Sequence, residues 1–117
     1  MAHILVVDDQ ETIRHLLCEV LSRMGHDVSE AGDGVEALNL CEEHTFDLLV
    51  LDYRMPDMDG LEVAERLKGK IRFILHTSDY ENKELKRKAL HAGALGVIAK
   101  ISDVNAFRKD IEAFLNM

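Results

Sequence analysis

Two short, wholly apolar runs each stop at an acid: Ile4-Leu5-Val6-Val7 at Asp8-Asp9, and Leu48-Leu49-Val50-Leu51 at Asp52. Runs of Val, Ile and Leu without polar alternation need cover on both faces, which is the situation of an interior strand in a parallel sheet. In open α/β sheets ligands gather in the crevice beyond the carboxyl ends of such strands. If the two strands are neighbours, Asp8, Asp9 and Asp52 share that crevice. Carboxylates so close repel one another and keep their charge only beside compensating cations. An all-oxygen set of this kind suits a hard ion such as Mg²⁺. A lone Asp after a strand is more simply a cap for the next helix; a pair plus a third after a second buried strand favours a common site.

Helix-period and strand-like segments alternate along the whole chain, the pattern of a parallel sheet wrapped by helices on both faces. Ile13, Leu16, Leu17, Val20, Leu21 and Met24 recur at three- and four-residue steps and predict the packed face of a first helix, ended by Gly25, with Arg14, Glu19 and Arg23 toward water. A second strand is expected over 28–31, followed by the turn cluster Gly32-Asp33-Gly34 and a helix carrying Val35, Ala37, Leu38 and Cys41. The third strand is expected over 46–51. The loop after Asp52 contains Pro56, the only proline, and Gly60; both interrupt helix, which restarts near Leu61. A fourth strand over 72–77, a charged helix over 79–91, a fifth strand over 97–99 ending at Lys100, and a last helix with Val104, Phe107, Ile111 and Leu115 on one stripe complete the reading. Right-handed crossovers put helices on both faces only if the chain reverses across the sheet near the first strand, where the acidic pocket belongs.

At 117 residues the chain is about one domain, and a single domain over 1–117 with no effector domain is expected. A net charge of −8 argues against direct binding to nucleic acid or to anionic membrane, since both need Lys and Arg to neutralise phosphate. No apolar stretch approaches the length of a membrane span, and an acid pair stands where a signal peptide would continue. A cytoplasmic protein with protein partners is the expectation. Cys18 and Cys41 lack metal-ligand spacing and read as reduced packing residues.

The ordered set Leu5-Val6-Val7-Asp8-Asp9, Ala31-Gly32-Asp33-Gly34 with Glu36-Ala37-Leu38, Asp52 followed by Met55-Pro56 and Gly60, Thr77, and Ala92-Gly93-Ala94 before Lys100 resembles the receiver domain of two-component response regulators. The resemblance, to a stand-alone receiver of the chemotaxis-regulator kind, covers essentially the whole chain. The resemblance implies a flavodoxin-like (βα)5 fold, a doubly wound parallel five-stranded sheet in the order 2-1-3-4-5; that order comes with the resemblance and not from periodicity. It implies a signalling module that accepts a phosphoryl group on Asp52 and acts through protein contacts, promoting its own phosphorylation and dephosphorylation without being an enzyme in the usual sense. Mg²⁺ or Mn²⁺ would be held by Asp9, Asp52 and the backbone carbonyl of Arg54, with Asp8 acting through a water. Thr77 and Lys100 would contact phosphoryl oxygens. The implied partners are a sensor histidine kinase or phosphotransfer protein and a downstream target, with a homodimer as one outcome of phosphorylation.

Two positions depart from that pattern. Val97 stands where an aromatic ring would turn inward on phosphorylation, and Ile101 stands where proline usually follows the lysine. A cis bond without proline costs about 2.5–4 kcal/mol, so Lys100-Ile101 is expected to be trans, which leaves the aim of Lys100 open. Arg54 and Asp79 flank the pocket mouth in the family layout and are candidates for setting the lifetime of the phosphorylated state. The six histidines lack a zinc spacing and read as packing or surface residues, with His76, next to Thr77 in an apolar strand, the candidate for pH sensitivity. Lys83-Glu84 and Lys86-Arg87-Lys88 read as a solvated helix face that is also the implied partner-binding helix. Two other functions compete: an unphosphorylated pseudo-receiver scaffold, suggested by Val97 and Ile101, and a small Mg²⁺-dependent phosphatase of the haloacid dehalogenase type. Adjacent Asp8-Asp9 does not match that phosphatase's Asp-x-Asp.

Overall fold

The computed structural model describes residues 1–117. Five strands, β1 (His3–Val7), β2 (Asp27–Ala31), β3 (Leu48–Leu51), β4 (Phe73–Thr77) and β5 (Val97–Ala99), alternate with five helices, α1 (Glu11–Arg23), α2 (Gly34–Glu43), α3 (Gly60–Leu67), α4 (Lys83–His91) and α5 (Val104–Leu115). All strand pairs are parallel and the order is β2-β1-β3-β4-β5, as the resemblance implied. Val7 lies opposite both Ala31 and Leu51, so β1, β2 and β3 end at one level and release their chains onto the same rim.

Alternation along the strands divides the core in two. Ile4, Val6, Leu48, Val50 and Ile74 face α1 and α5, meeting Leu17, Val20, Leu21, Phe107 and Ile111. Leu5, Val7, Leu49, Leu51, Phe73 and Leu75 face α2, α3 and α4 through Ala37, Val63, Ala64, Leu85 and Ala89. Every residue of β3 is buried, which explains the unbroken apolar run: a central strand has no wet face. Each such aliphatic side chain contributes about 1.5–3 kcal/mol by leaving water.

Local chemistry sets the helix starts. The sequences Asp33-Gly34-Val35-Glu36 and Asp59-Gly60-Leu61-Glu62 open α2 and α3 in the same way, the Asp side chain accepting the N–H of the Glu three residues on. Asn82 and Asp103 cap α4 and α5 likewise. Gly25, at φ +94°, turns the chain out of α1 where a side chain would be strained.

Several boundaries and faces differ from the sequence expectation. The helix expected over 79–91 begins only at Lys83, because Thr77 Oγ1 accepts the Asp79 N–H and Asn82 caps the helix, leaving 78–82 as a turn. The third strand starts at Leu48 instead of residue 46, although Asp47 N–H still reaches the His3 carbonyl at 2.7 Å. Leu16, Val35 and Val104, expected to pack, are exposed: the sheet covers only a stripe of each helix, and these residues fall at its rim. Arg14, expected in water, is tucked beneath the rim instead. Cys18 and Cys41 pack on opposite faces of the sheet and are both free, so no bridge between them is possible without unfolding; burial pushes both thiols up to about 11. No helix is long and apolar enough to cross a membrane.

Candidate functional site

The sheet ladder itself assembles the acids. Asp8 N–H donates to the Ala31 carbonyl at 3.1 Å and Asp52 N–H to the Val7 carbonyl at 2.9 Å, so both backbones are pinned where the strands end. One carboxylate oxygen from each of Asp8, Asp9 and Asp52 lies within 4.8 Å of the other two. Asp8 and Asp52 are buried and Asp9 is exposed. Lys100 enters from the end of β5, its Nζ 2.6 Å from Asp8 Oδ2 and 3.4 Å from Asp52 Oδ1. The other Asp8 oxygen accepts the Gln10 N–H at 2.9 Å. Burial, reinforced by the Asp8 charge and opposed by Lys100, pushes the Asp52 carboxyl up to about 7.

With every carboxyl ionised, three acids against one ammonium leave an excess of two negative charges, which one divalent cation would cancel. The donors are all oxygen, with no thiolate or imidazole, and Asp9 opens to solvent. A hard cation that takes one or two carboxylates and keeps its waters fits this set, as Mg²⁺ or Mn²⁺ does.

Around the acids a cavity of ≈ 260 Å³ is lined by Asp9, Gln10, Asp52, Arg54, Thr77, Ser78 and Lys100. Five of the residues predicted for the site are therefore on one wall-to-wall surface, with Asp8 beneath it. Thr77 is buried at the end of β4; because its oxygen accepts the Asp79 N–H at 3.1 Å, its hydroxyl hydrogen remains available to an anion in the cavity. Arg54 Nε meets Asp79 Oδ2 at 2.6 Å across the mouth, and its guanidinium lies 5.7 Å from the Tyr53 ring centre. Val97 is half-buried on β5 against the α2–α4 side of the core, and Ile101 packs on the α1–α5 side. The Lys100-Ile101 bond is trans, as are all others. A larger groove of ≈ 680 Å³, lined by Leu38, Phe46, Arg66 and Ile71 among others, lies at the opposite ends of the strands and holds none of these groups.

Four supporting residues had not been singled out for the site. Arg14 Nη1 donates to the Asp8 carbonyl at 2.9 Å while its Nε meets Glu30 at 2.7 Å, tying the acid pair to β2. Asp57 accepts the N–H groups of Gly34 and Val35 at 3.1 and 3.0 Å, anchoring the loop after Asp52 on the first turn of α2; burial pushes its carboxyl up, but the backbone N–H bonds together outweigh it and hold the group below the usual range. Gly60 packs so closely that a Cβ there would collide with the Asp52 carbonyl oxygen. His76, noted only for its pH sensitivity, accepts the Ile101 N–H at 2.9 Å. Helical spacing places Arg14 one turn beyond the acids, a signal that charge patterning alone assigns to solvent; no local pattern marks the other three contacts.

The chain matches the model of the response regulator receiver domain over residues 4–112. It is 36% identical to the sporulation initiation phosphotransferase F of Bacillus subtilis over 115 residues, covering 96% of this chain and 92% of that protein. It is 37% identical over 106 residues to the transcriptional regulatory protein PdtaR of Mycobacterium tuberculosis, where the match covers 86% of this chain and about half (52%) of the longer relative. Among solved structures, the response regulator TrrA of Thermotoga maritima, crystallised in complex with Mg²⁺–BeF, superposes with a TM-score of 0.85 at 33% identity, covering 97% of this chain and 98% of that one.

Proposed function

We propose, for a chain that belongs to the response regulator receiver domain family, that Asp52 is the residue that accepts the phosphoryl group. Receiver domains are signalling modules and not enzymes in the ordinary sense; they interact with histidine kinases or phosphotransfer proteins and with downstream targets. The observation that carries the assignment is the meeting of Asp8, Asp9 and Asp52 within 4.8 Å beside Lys100 Nζ.

Chemically, an Asp52 carboxylate oxygen forms the new O–P bond as the N–P bond to the donor imidazole breaks. Such transfers pass through a loose transition state, so the protein's work is positioning and charge neutralisation. Lys100, already 3.4 Å from Asp52, is the ammonium for one phosphoryl oxygen, and the Thr77 hydroxyl donates to another. Asp9, Asp52 and the Arg54 carbonyl are the residues that would hold Mg²⁺ or Mn²⁺, with Asp8 reaching it through a water. When bound, the cation neutralises charge on the phosphoryl oxygens and favours the ionised form of Asp52. The Mg²⁺–BeF complex of TrrA supports this reading. Arg54 and Asp79, paired across the mouth, restrict water and so lengthen the life of the acyl phosphate. Signalling then passes by protein contact, without nucleic acid or membrane, in the cytoplasm; Val97 cannot report by a ring flip, so backbone movement around Thr77 carries the change.

Mass spectrometry after incubation with acetyl phosphate tests the assignment. Stoichiometric, Mg²⁺-dependent gain of one phosphoryl group, lost in Asp52→Asn, is expected. Labelling that survives Asp52→Asn would move the acceptor elsewhere, absence of labelling would favour a scaffold, and continuous turnover of a phosphate monoester would favour a hydrolase.

A further inference from the structure

His76 is an expensive residue where it stands. It is buried on the face of β4 that it shares with Ile74, toward α1 and α5, with its ring edge against Phe107 at a centroid distance of 5.9 Å. Nδ1 has no hydrogen-bond partner, and an unpaired polar group in such a place costs about 1–3 kcal/mol. Burial, with the charge of Lys100 adding to it, lowers its pKa to about 4, so the ring is neutral near pH 7 with the proton on Nδ1 and the lone pair on Nε2. An aliphatic side chain would fill the same space without the orphan donor. Packing alone does not account for an imidazole here.

What the imidazole supplies is an acceptor at the point where the sheet runs out. The last rung between β4 and β5 is the Lys100 N–H on the Thr77 carbonyl at 3.2 Å. One residue on, the Ile101 N–H has no backbone acceptor, and His76 Nε2 takes it at 2.9 Å. A proline at 101 would carry no N–H to place; Ile101 does, and a side chain of the neighbouring strand satisfies it. The backbone of Lys100 is thus held at two successive amides, both by residues of β4. Its Nζ, four methylenes away, sits 2.6 Å from Asp8 and 3.4 Å from Asp52.

We infer that His76 is a positioning residue for Lys100: through the Ile101 N–H it fixes the peptide from which the ammonium reaches the acids, doing with a side chain what the end of the ladder cannot. This rests on the reading of Asp52 as phosphoacceptor and assigns a role beyond it. A hydrogen bond is directional where apolar packing is not, so the rate of transfer, more than the stability of the fold, depends on it.

The test compares His76→Leu, which removes the acceptor while keeping an apolar fill, with His76→Gln, whose Oε1 can reach the place of Nε2. Initial rates of Asp52 labelling are measured across acetyl phosphate concentrations in Mg²⁺, together with thermal midpoints and the scalar coupling between the Ile101 and His76 nitrogens through the hydrogen bond. The native chain shows that coupling. His76→Leu lowers the saturating rate about three- to tenfold, the worth of one ordinary hydrogen bond, without lowering the thermal midpoint; His76→Gln recovers most of the rate. A folded His76→Leu chain labelling at the native rate overturns the inference, as does a His76→Gln chain no faster than His76→Leu, or a rate loss matched by a loss of thermal stability. A native chain that shows the coupling but takes no label overturns the phosphoacceptor reading itself, and the inference with it.

Discussion

Lys100 is bound first to Asp8 and only second to Asp52: its Nζ lies 2.6 Å from the deeper carboxylate and 3.4 Å from the one proposed to take the phosphoryl group. An ammonium held by Asp8 but still within reach of Asp52 is poised to turn toward a new anion without leaving its anchor.

Replacing that lysine separates its two duties. Lys100→Ala leaves Asp8 buried without its cation, and the expected loss of stability is about 3 kcal/mol, the low end for a broken buried pair because Lys100 keeps a fifth of its side chain in water. Millimolar Mg²⁺ should return part of that loss by supplying positive charge to the same acids, and Asp52 labelling should slow. Urea unfolding with and without Mg²⁺ checks the first point; a variant as stable as the native chain in EDTA would show that Asp8 does not depend on Lys100.

Two buried groups oppose each other with pH. The Asp52 carboxyl rises from 3.8 to about 7 on folding, so its contribution is full below about 3.8 and is lost as pH climbs to about 7. His76 falls from 6.5 to about 4, so its contribution is full above about 6.5 and is lost as pH drops toward 4. Between roughly pH 4 and 6.5 the two slopes nearly cancel in the metal-free protein. Asp52→Asn removes one of them, and stability should then rise across that window by up to about 3 kcal/mol. Urea midpoints at half-unit pH steps in EDTA decide it; no slope in Asp52→Asn would mean that His76 is not held neutral by the fold.

At position 60 helix propensity and packing disagree. Alanine is the better helix former, by about 1 kcal/mol in a helix interior and less at the first position that Gly60 holds, yet its Cβ would meet the Asp52 carbonyl oxygen, a backbone atom that cannot swing aside. Gly60→Ala should destabilise by about 2–3 kcal/mol and impair labelling. Gly32→Ala is the control: the nearest atom to its Cβ is Arg14 Nη1 at 3.4 Å, an ordinary van der Waals contact. Equal thermal midpoints for the two variants would contradict the close packing of α3 on Asp52.

Arg54 and Asp79 meet at 2.6 Å on the surface, where Arg54 is largely exposed, and solvent screening makes the pair a poor source of stability. Its expected effect is kinetic. Arg54→Ala should shorten the half-life of the phosphorylated protein, followed by loss of the phosphoryl mass, while the thermal midpoint stays where it was. An unchanged half-life would remove the gatekeeping role.

Much of this molecule is legible along the chain. Four-residue apolar runs announce β1 and β3, and the acid at the end of each announces the rim on which a site is built. Asp33 and Asp59, each three residues before a Glu, mark helix starts, and the ordered motifs identify the receiver pattern. These signals are local, because strand alternation, helix period and capping act within a few residues. Separations of 92 residues between Lys100 and Asp8, or of 25 between Ile101 and His76 and between Arg54 and Asp79, leave no periodic trace. Charge patterning sent Arg14 to water, whereas the fold turns it onto the Asp8 carbonyl; helical period extended α4 back to residue 79, whereas the Thr77 hydroxyl holds that amide in a turn. Residue types and their order alone determined which elements form and which groups reach the rim. Which carboxylate the lysine grips, and which side chain completes the ladder behind it, was decided only when parallel register and helix packing brought distant segments within hydrogen-bonding distance, because those choices depend on ångström-scale separations that no stretch of sequence contains.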